Sequence, residues 1–409
     1  MGAGSGEVFA AAGIHTTFLA RTRDKAEQGR ARAEKLAKSG AISKYIDVGT
    51  YDDDFDAAVA EADLVFEAVA ENMDLKRQYM ARIDKVRKPG SIVATVSSGL
   101  SIAGMVANCS EDLRKHFLGM HFFNPPNVII GCELVPHAGT DPAITSFIDD
   151  LMRERLGREV VPTADTPAFA GNRVGFKMLN EVAQLAEEYG VGYIDALIGP
   201  HTGRAMSPLV TIDFVGWDVH KAIVDNLYEH TNDEAHACMK LPTYMDELIE
   251  AGHLGRKTPD KGGFFHNESV LSARTKSYAV ADQPVPELAQ KMKAAHRIGR
   301  YQDAIELMVE TASADATLMR KVVLGYISYG LGRVGEVVEQ VSDVDRIMAF
   351  GFNWAPPGLL ADLIGPRRCV GLLDKANIAV PKVLTEAAEK GERLWDQPNV
   401  DSGRFFVGS

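Results

Sequence analysis

Between residue 15 and about residue 165, short β-branched and apolar runs alternate with stretches whose apolar residues recur at helical spacing. His15 to Leu19 reads as a strand, and the charged segment from about Arg23 to Ser39 as the helix after it. Leu64 to Val69 is the next strand, followed by a helix over Asp74 to Val86. Lys88-Pro89-Gly90 turns the chain into a strand over Ser91 to Val96, and further strands follow at Phe117 to Phe122 and Cys132 to Val135. Strands alternating with helices of this length predict βαβ units and a mostly parallel sheet. The runs are nearly continuous in apolar residues, as expected of strands buried on both faces.

Beyond residue 165 the alternation stops and the apolar spacing becomes helical, beginning with a long helix over about Ala170 to Tyr189. Two stretches there resemble each other. One runs Asp195 to Ile198, through Ser207-Pro208-Leu209, to Asp213-Phe214-Val215-Gly216; the other runs Asp345 to Met348, through Pro356-Pro357-Gly358, to Asp362-Leu363-Ile364-Gly365. Proline and the second aspartate stand five residues apart in both. Each copy is expected to close on a Gly-x-Phe-Phe ending, Gly262 to Phe265 and Gly403 to Phe406. The reading is a tandem duplication of one helical module. It divides the chain into an α/β domain over 1–165, a first helical module over 166–267, a linker over 268–295 and a second module over 296–409.

The composition adds exclusions. Apolar residues make up 46% and charged residues 24% of 409 positions, ordinary for a folded protein with two or three domains. A net charge of −12 without a basic stripe argues against nucleic acid as a partner. No apolar run is long enough to span a membrane. The segment Met1 to Glu7 lacks the basic and apolar stretches of a signal peptide. Cys109, Cys132, Cys238 and Cys369 stand far apart, without metal-ligand spacing, which fits a reducing, cytoplasmic setting.

Gly2-Ala3-Gly4-Ser5-Gly6 invites comparison with the dinucleotide-binding G-x-G-x-x-G loop. Starting that loop at Gly2 leaves too few residues for a helix before Gly13, since a crossover needs about ten. Met1-Gly2 is better read as the last two positions of the loop, with the helix over about Ala3 to Ala12. This makes the fold an α/β Rossmann-type domain lacking its first strand, followed by two all-α modules, with Gly2 at the nucleotide phosphates. The strand over His15 to Leu19, second in that fold once the missing one is counted, ends Leu19-Ala20-Arg21-Thr22-Arg23, without the acid that usually holds the adenine ribose. Arg21 either favours a 2′-phosphate, and hence NADP, or caps a solvated loop.

Four segments carry a specific resemblance. They are Val96-Ser97-Ser98-Gly99-Leu100-Ser101-Ile102, then Phe117-Leu118-Gly119-Met120-His121-Phe122-Phe123-Asn124-Pro125 with Glu133 twelve residues after the histidine. The others are Asp165-Thr166-Pro167-Ala168-Phe169-Ala170-Gly171-Asn172-Arg173, and Glu67-Ala68-Val69-Ala70-Glu71-Asn72 with Lys76. In order and spacing they resemble the L-3-hydroxyacyl-CoA dehydrogenase family from about Met1 to Phe265. The wording Ile198-Gly199-Pro200-His201-Thr202-Gly203-Arg204 is similar to the fused fatty-acid β-oxidation enzymes.

The resemblance implies an NAD-dependent oxidoreductase, with NADP admitted, interconverting L-3-hydroxyacyl-CoA and 3-oxoacyl-CoA. His121 would take the hydroxyl proton, since an imidazole titrates near neutrality. Glu133 would hold its other ring nitrogen, Ser98 would bond the 3-oxygen, and Asn172 a substrate carbonyl. Glu71 and Lys76 would meet the nicotinamide half of NAD. An acyl-CoA substrate is implied, and association with an enoyl-CoA hydratase or a thiolase. One helical module serves short relatives as a dimer surface, so a second copy in the same chain predicts a monomer or weak homodimer. A dehydrogenase of a free hydroxy acid and a catalytically silent truncated homologue or assembly subunit stand as the alternatives.

Overall fold

The alternating first half builds a doubly wound sheet. The structure, a computed structural model, describes residues 1–280, 285–397 and 399–406. The chain divides into two compact units, Met1–Phe169 with Phe350–Phe352, and Ala170–Ala349 with Asn353–Ser409. Of the expected linker, residues 281–284 lie outside the described residues, as do 398 and 407–409 of the expected second module.

The first unit opens with α1 (Gly2–Ala11), β1 (Thr16–Ala20), α2 (Arg23–Ala37), β2 (Ile46–Thr50) and α3 (Phe55–Glu61). It continues through β3 (Leu64–Glu67), α4 (Met73–Val86), β4 (Ile92–Thr95), α5 (Ile102–Met105) and α6 (Glu111–Lys115). It closes with β5 (Phe117–Phe122), β6 (Gly131–Pro136), α7 (Pro142–Asp150) and β7 (Glu159–Pro162). The strands run in two ladders, β1-β2 and β3-β4-β5-β6-β7, all parallel except β5 against β6. Helix α1 packs on both ladders. Phe9 meets Phe66 of β3 at 5.5 Å between ring centres, and a Cβ on Gly6 would stand 2.2 Å from the Phe18 ring of β1. Only glycine permits so close a helix-to-strand approach. The strands β2 and β7 and helix α3 were not anticipated from the pattern. Gly49 and the polar residues around it blur the first strand, and Glu159-Val160-Val161-Pro162 is too short to stand out.

Alternate residues of each strand serve opposite cores. Ala94, Leu118, Met120, Phe122, Cys132 and Leu134 face Val8 and Phe9 of α1 with Ile148 of α7. On the other side, Val93, Phe117, Val135 and Phe169 join Phe55, Met80, Ile83, Ile102 and Leu113 from α3 to α6. Both faces are therefore covered, and polar residues on this sheet need partners.

The second unit is helical: α8 (Gly171–Tyr189), α9 (Val191–Leu197), α10 (Pro208–Val215), α11 (Trp217–His230), α12 (His236–Met239) and α13 (Thr243–Glu250). Three short strands follow, β8 (Phe265–His266), β9 (Ser269–Ser272) and β10 (Ser277–Val280), then α14 (Glu287–Arg297), α15 (Tyr301–Glu310) and α16 (Ala314–Leu331). The last helices are α17 (Val341–Ile347), α18 (Pro357–Ile364), α19 (Pro366–Lys375) and α20 (Lys382–Lys390). The stretch expected as a linker thus holds β9, β10 and most of α14.

One local arrangement occurs twice. Asp195 of α9 accepts Leu209 N at 2.8 Å and the Ser207 hydroxyl at 2.6 Å, closing the start of α10. Asp345 of α17 accepts Gly358 N at 2.8 Å at the start of α18. Asp213 then accepts the N–H groups of Phe264 and Phe265, while Asp362 accepts those of Leu394 and Trp395. The counterpart of Phe264-Phe265 is therefore Leu394-Trp395, and the Gly-x-Phe-Phe ending at Phe406 is not. Phe406 instead packs on Tyr301 and His296, 5.6 and 5.2 Å away. The sequence similarity of the two endings misled because backbone N–H groups, not side chains, meet the aspartate.

Candidate active site

The register of two antiparallel strands makes the central pair. His121 on β5 lies directly opposite Glu133 on β6. Residues opposite each other on one face bring their Cβ atoms to about 5 Å. The pleat points both into the face that Val93, Phe117 and Val135 share. There His121 Nδ1 and Glu133 Oε2 stand 2.6 Å apart, with the His121 side chain 4% and the Glu133 side chain 0% exposed. Two phenylalanines flank the imidazole: Phe123 at 4.6 Å and Phe169 at 5.7 Å between ring centres. A buried carboxylate on Nδ1 leaves Nε2 as the nitrogen that accepts a proton.

Beside this pair, a second polar cluster closes the ends of β3 and β4. Lys76, on the inner face of α4, is fully buried. Its Nζ donates to Glu67 Oε1 and Oε2 at 3.0 and 2.9 Å and lies 3.4 Å from Glu71 Oε2. Glu67 also accepts the Thr95 hydroxyl at 2.6 Å and Val69 N at 2.6 Å. Glu71 accepts the Ser97 hydroxyl at 2.6 Å and Ser98 N at 2.8 Å, which places Ser98 beside the same carboxylate. Asn72 starts α4 by accepting Leu75 N at 2.9 Å. Glu71 and Lys76 therefore belong to one network, buried at Lys76 and Glu67 and open to solvent at Glu71.

The Asp165-Thr166-Pro167 turn is tied to the serine loop. Asp165 accepts the N–H groups of Ile102 and Ala103, both at 2.8 Å, at the start of α5. Ala168 N donates to Gly99 O at 3.3 Å, and a Cβ on Gly99 would come within 2.5 Å of the Ala168 Cα. The glycine after Ser98 is required by that close approach.

The remaining predicted residues fall elsewhere. Gly2 is exposed and opens α1; Arg21 is exposed directly after β1. Asn172 sits in the first turn of α8, in the second unit. Its neighbour Arg173 belongs to that unit's own charge network, donating to Asp233 at 2.8 Å, Glu336 at 2.7 Å and the Tyr329 hydroxyl at 3.1 Å. Those acidic and phenolic partners hold the guanidinium pKa above its usual range.

Comparison with known proteins bears on these motifs. Residues 1–166 match the 3-hydroxyacyl-CoA dehydrogenase NAD-binding domain, and residues 169–264 the C-terminal domain of the same family. The chain belongs to the 3-hydroxyacyl-CoA dehydrogenase family. It is 32% identical over 284 residues to the 3-hydroxybutyryl-CoA dehydrogenase of Bradyrhizobium diazoefficiens, covering 65% of this chain and 91% of that one. It is 29% identical over 365 residues to a probable 3-hydroxyacyl-CoA dehydrogenase of Bacillus subtilis. There it covers 87% of this chain but 46% of the relative, so the chain spans about half that protein's length. In fold it is similar to the crystal structure of 3-hydroxybutyryl-CoA dehydrogenase from Escherichia coli, with a TM-score of 0.73 over 95% of this chain and 96% of that one at 21% identity.

In this dehydrogenase-family domain the residues present fit a dinucleotide. Met1 gives α1 no side-chain cap; Gly4 N and Ser5 N donate to Met1 O at 2.9 and 3.0 Å, and the amides of Gly2 and Ala3, ahead of that first bond, are those an anion would take. Glu67 at the end of β3, Glu71 in the loop after it and Lys76 of α4 supply polar groups beyond them. Sequence reasoning assigned no role to Glu67, Thr95 or Asp165. The signal for Glu67 was a carboxylate ending an apolar strand, which burial obliges to find a cation. Among the described residues no cluster of His, Cys, Asp and Glu is arranged to hold a metal, and no helix is long and apolar enough to cross a membrane.

Proposed function

We propose that this chain interconverts an L-3-hydroxyacyl-CoA and the corresponding 3-oxoacyl-CoA, with NAD(H) as hydride carrier. The observation that carries the reading is the buried His121–Glu133 pair, 2.6 Å apart on facing strands within a family-specific motif. Oxidation of a secondary alcohol needs a base for the hydroxyl proton, and His121 Nε2 takes it. Glu133 keeps Nδ1 protonated and stabilises the imidazolium that results. Ser98, held beside Glu71, donates to the 3-oxygen. For Asn172 the role, a hydrogen bond to the thioester carbonyl, rests on the motif alone. When bound, NAD supplies the hydride acceptor, which no side chain provides.

The test is NADH-dependent reduction of acetoacetyl-CoA compared with free acetoacetate. Turnover of the thioester with none of the free acid is expected. Equal turnover of both would assign the chain to free hydroxy acids, and turnover of neither would make it a silent homologue. We also propose a monomer or weak homodimer. Within the second unit α16 already packs on α8, where a Cβ on Gly330 would stand at ordinary contact distance, 3.5 Å, from Val174. A stable dimer in light scattering at micromolar concentration would contradict this.

A further inference from the structure

The place where β1 leaves the sheet differs from the usual NAD site. In doubly wound folds the adenine ribose lies at the carboxyl end of the second strand of the full sheet, held by an acid that bonds its hydroxyls and repels a 2′-phosphate. Here that strand is β1, which ends at Ala20 opposite Thr50 of β2. The next residues are Arg21, Thr22 and Arg23, and the first carboxylate is Asp24, within the first turn of α2.

The side chains there are disposed for an anion. Arg21 and Arg23 are exposed, and neither makes a hydrogen bond or ion pair among the described residues. The Thr22 hydroxyl caps α2 by accepting Lys25 N at 3.4 Å, so Arg21 does not serve as the cap. Burial raises the pKa of the Tyr51 hydroxyl, directly after β2, and the charge of Arg21 acts against that shift. Of the three acids in that second loop, Asp53 accepts the Thr50 hydroxyl at 3.0 Å and Asp54 accepts Thr50 N at 2.8 Å, while Asp52 is exposed. Two uncommitted guanidinium groups thus stand where an acid would exclude phosphate, and a guanidinium matches phosphate with paired N–H donors.

We propose that Arg21, assisted by Arg23, makes this site accept the 2′-phosphorylated dinucleotide NADP(H) alongside NAD(H). The proposal rests on the NAD-site reading above. It is tested by calorimetric titration of the full chain with 2′,5′-ADP and with 5′-ADP, which requires no turnover, in the wild type and in Arg21→Ser and Arg21→Asp. Arg21 is exposed and unbonded, so neither variant threatens folding.

The wild type is expected to bind 2′,5′-ADP at least as tightly as 5′-ADP. Arg21→Ser should weaken 2′,5′-ADP by about 10- to 100-fold, the range for losing a hydrogen bond to a charged group. It should leave 5′-ADP unchanged, and Arg21→Asp should abolish 2′,5′-ADP binding. Binding of 5′-ADP alone would overturn the proposal while leaving the NAD site intact. Equal weakening of both ligands by Arg21→Ser would overturn the assignment to the 2′-phosphate. Binding of neither would overturn the nucleotide-site reading and this proposal with it.

Discussion

Replacing Glu133 by glutamine keeps the shape of the His121 environment and removes its charge. In the resting enzyme the loss is modest, because a neutral imidazole needs only an acceptor at Nδ1. It becomes large when His121 carries the substrate proton, since a buried imidazolium then lacks its counter-ion. Opposite unit charges about 4 Å apart at an effective dielectric of about 20 attract by about 4 kcal/mol. At about 1.4 kcal/mol per tenfold this is roughly a thousandfold in rate. The glutamine NH2 can also donate to Nδ1, which places the ring proton on Nε2 and blocks proton acceptance. Steady-state kinetics with 3-hydroxybutyryl-CoA and NAD, followed by NADH absorbance, should show kcat down by about 100- to 1000-fold with KM for the thioester within about threefold. A Glu133→Gln enzyme within tenfold of wild type would refute the reasoning, as would a defect confined to KM.

Three further outcomes follow from the geometry. Burial raises the Asp195 carboxyl from its usual 3.8 to about 6. The folded state then holds a proton that the unfolded chain releases, and stability falls by about 3 kcal/mol as pH rises from about 4 to about 6. Urea unfolding of Asp195→Asn should lose that pH dependence and gain stability at pH 7, and a variant no more stable than wild type at pH 7 would count against it. Lys76→Met strands the buried Glu67 carboxylate, at a cost of about 3–5 kcal/mol. Adding Glu67→Gln should recover most of the stability but not the NADH affinity measured by fluorescence. Gly99→Ala drives a Cβ into the Ala168 backbone 2.5 Å away. It should cost about 1–3 kcal/mol and lower kcat by displacing Ser98, whereas a wild-type melting curve would show that the loop gives way freely.

The sheet, its hand of alternation and the long α8 were readable because burial on two faces writes continuous apolar runs, and one packed face writes helical spacing. The histidine, its glutamate and the serine loop were readable as motifs. The resemblance placed Glu133 on the second ring nitrogen, which it meets at 2.6 Å; the apolar pattern alone did not place it, because the pairing depends on the β5–β6 register. Glu67 and Thr95 went unassigned for a similar reason: the fate of a buried carboxylate is decided by a lysine nine residues away on another element. The second copy's ending was misread because Leu394-Trp395 shares no side-chain wording with Phe264-Phe265, although both pairs present backbone N–H groups to an aspartate. That copy also lacks Ser207: Pro356 stands in its place, and Asp345 Oδ2 is buried without a hydrogen-bond partner. The repeat is therefore weakest in wording where its interactions changed.

The central claim is that His121 is the base of a CoA-thioester dehydrogenase, and a single comparison addresses it directly. Wild-type and His121→Ala chains are mixed with NADH, binding is confirmed by fluorescence, and acetoacetyl-CoA is added while NADH absorbance is followed. The account predicts equal NADH binding, rapid oxidation by the wild type, and a rate about 1000-fold lower or less in the variant. Undiminished turnover by His121→Ala would contradict it.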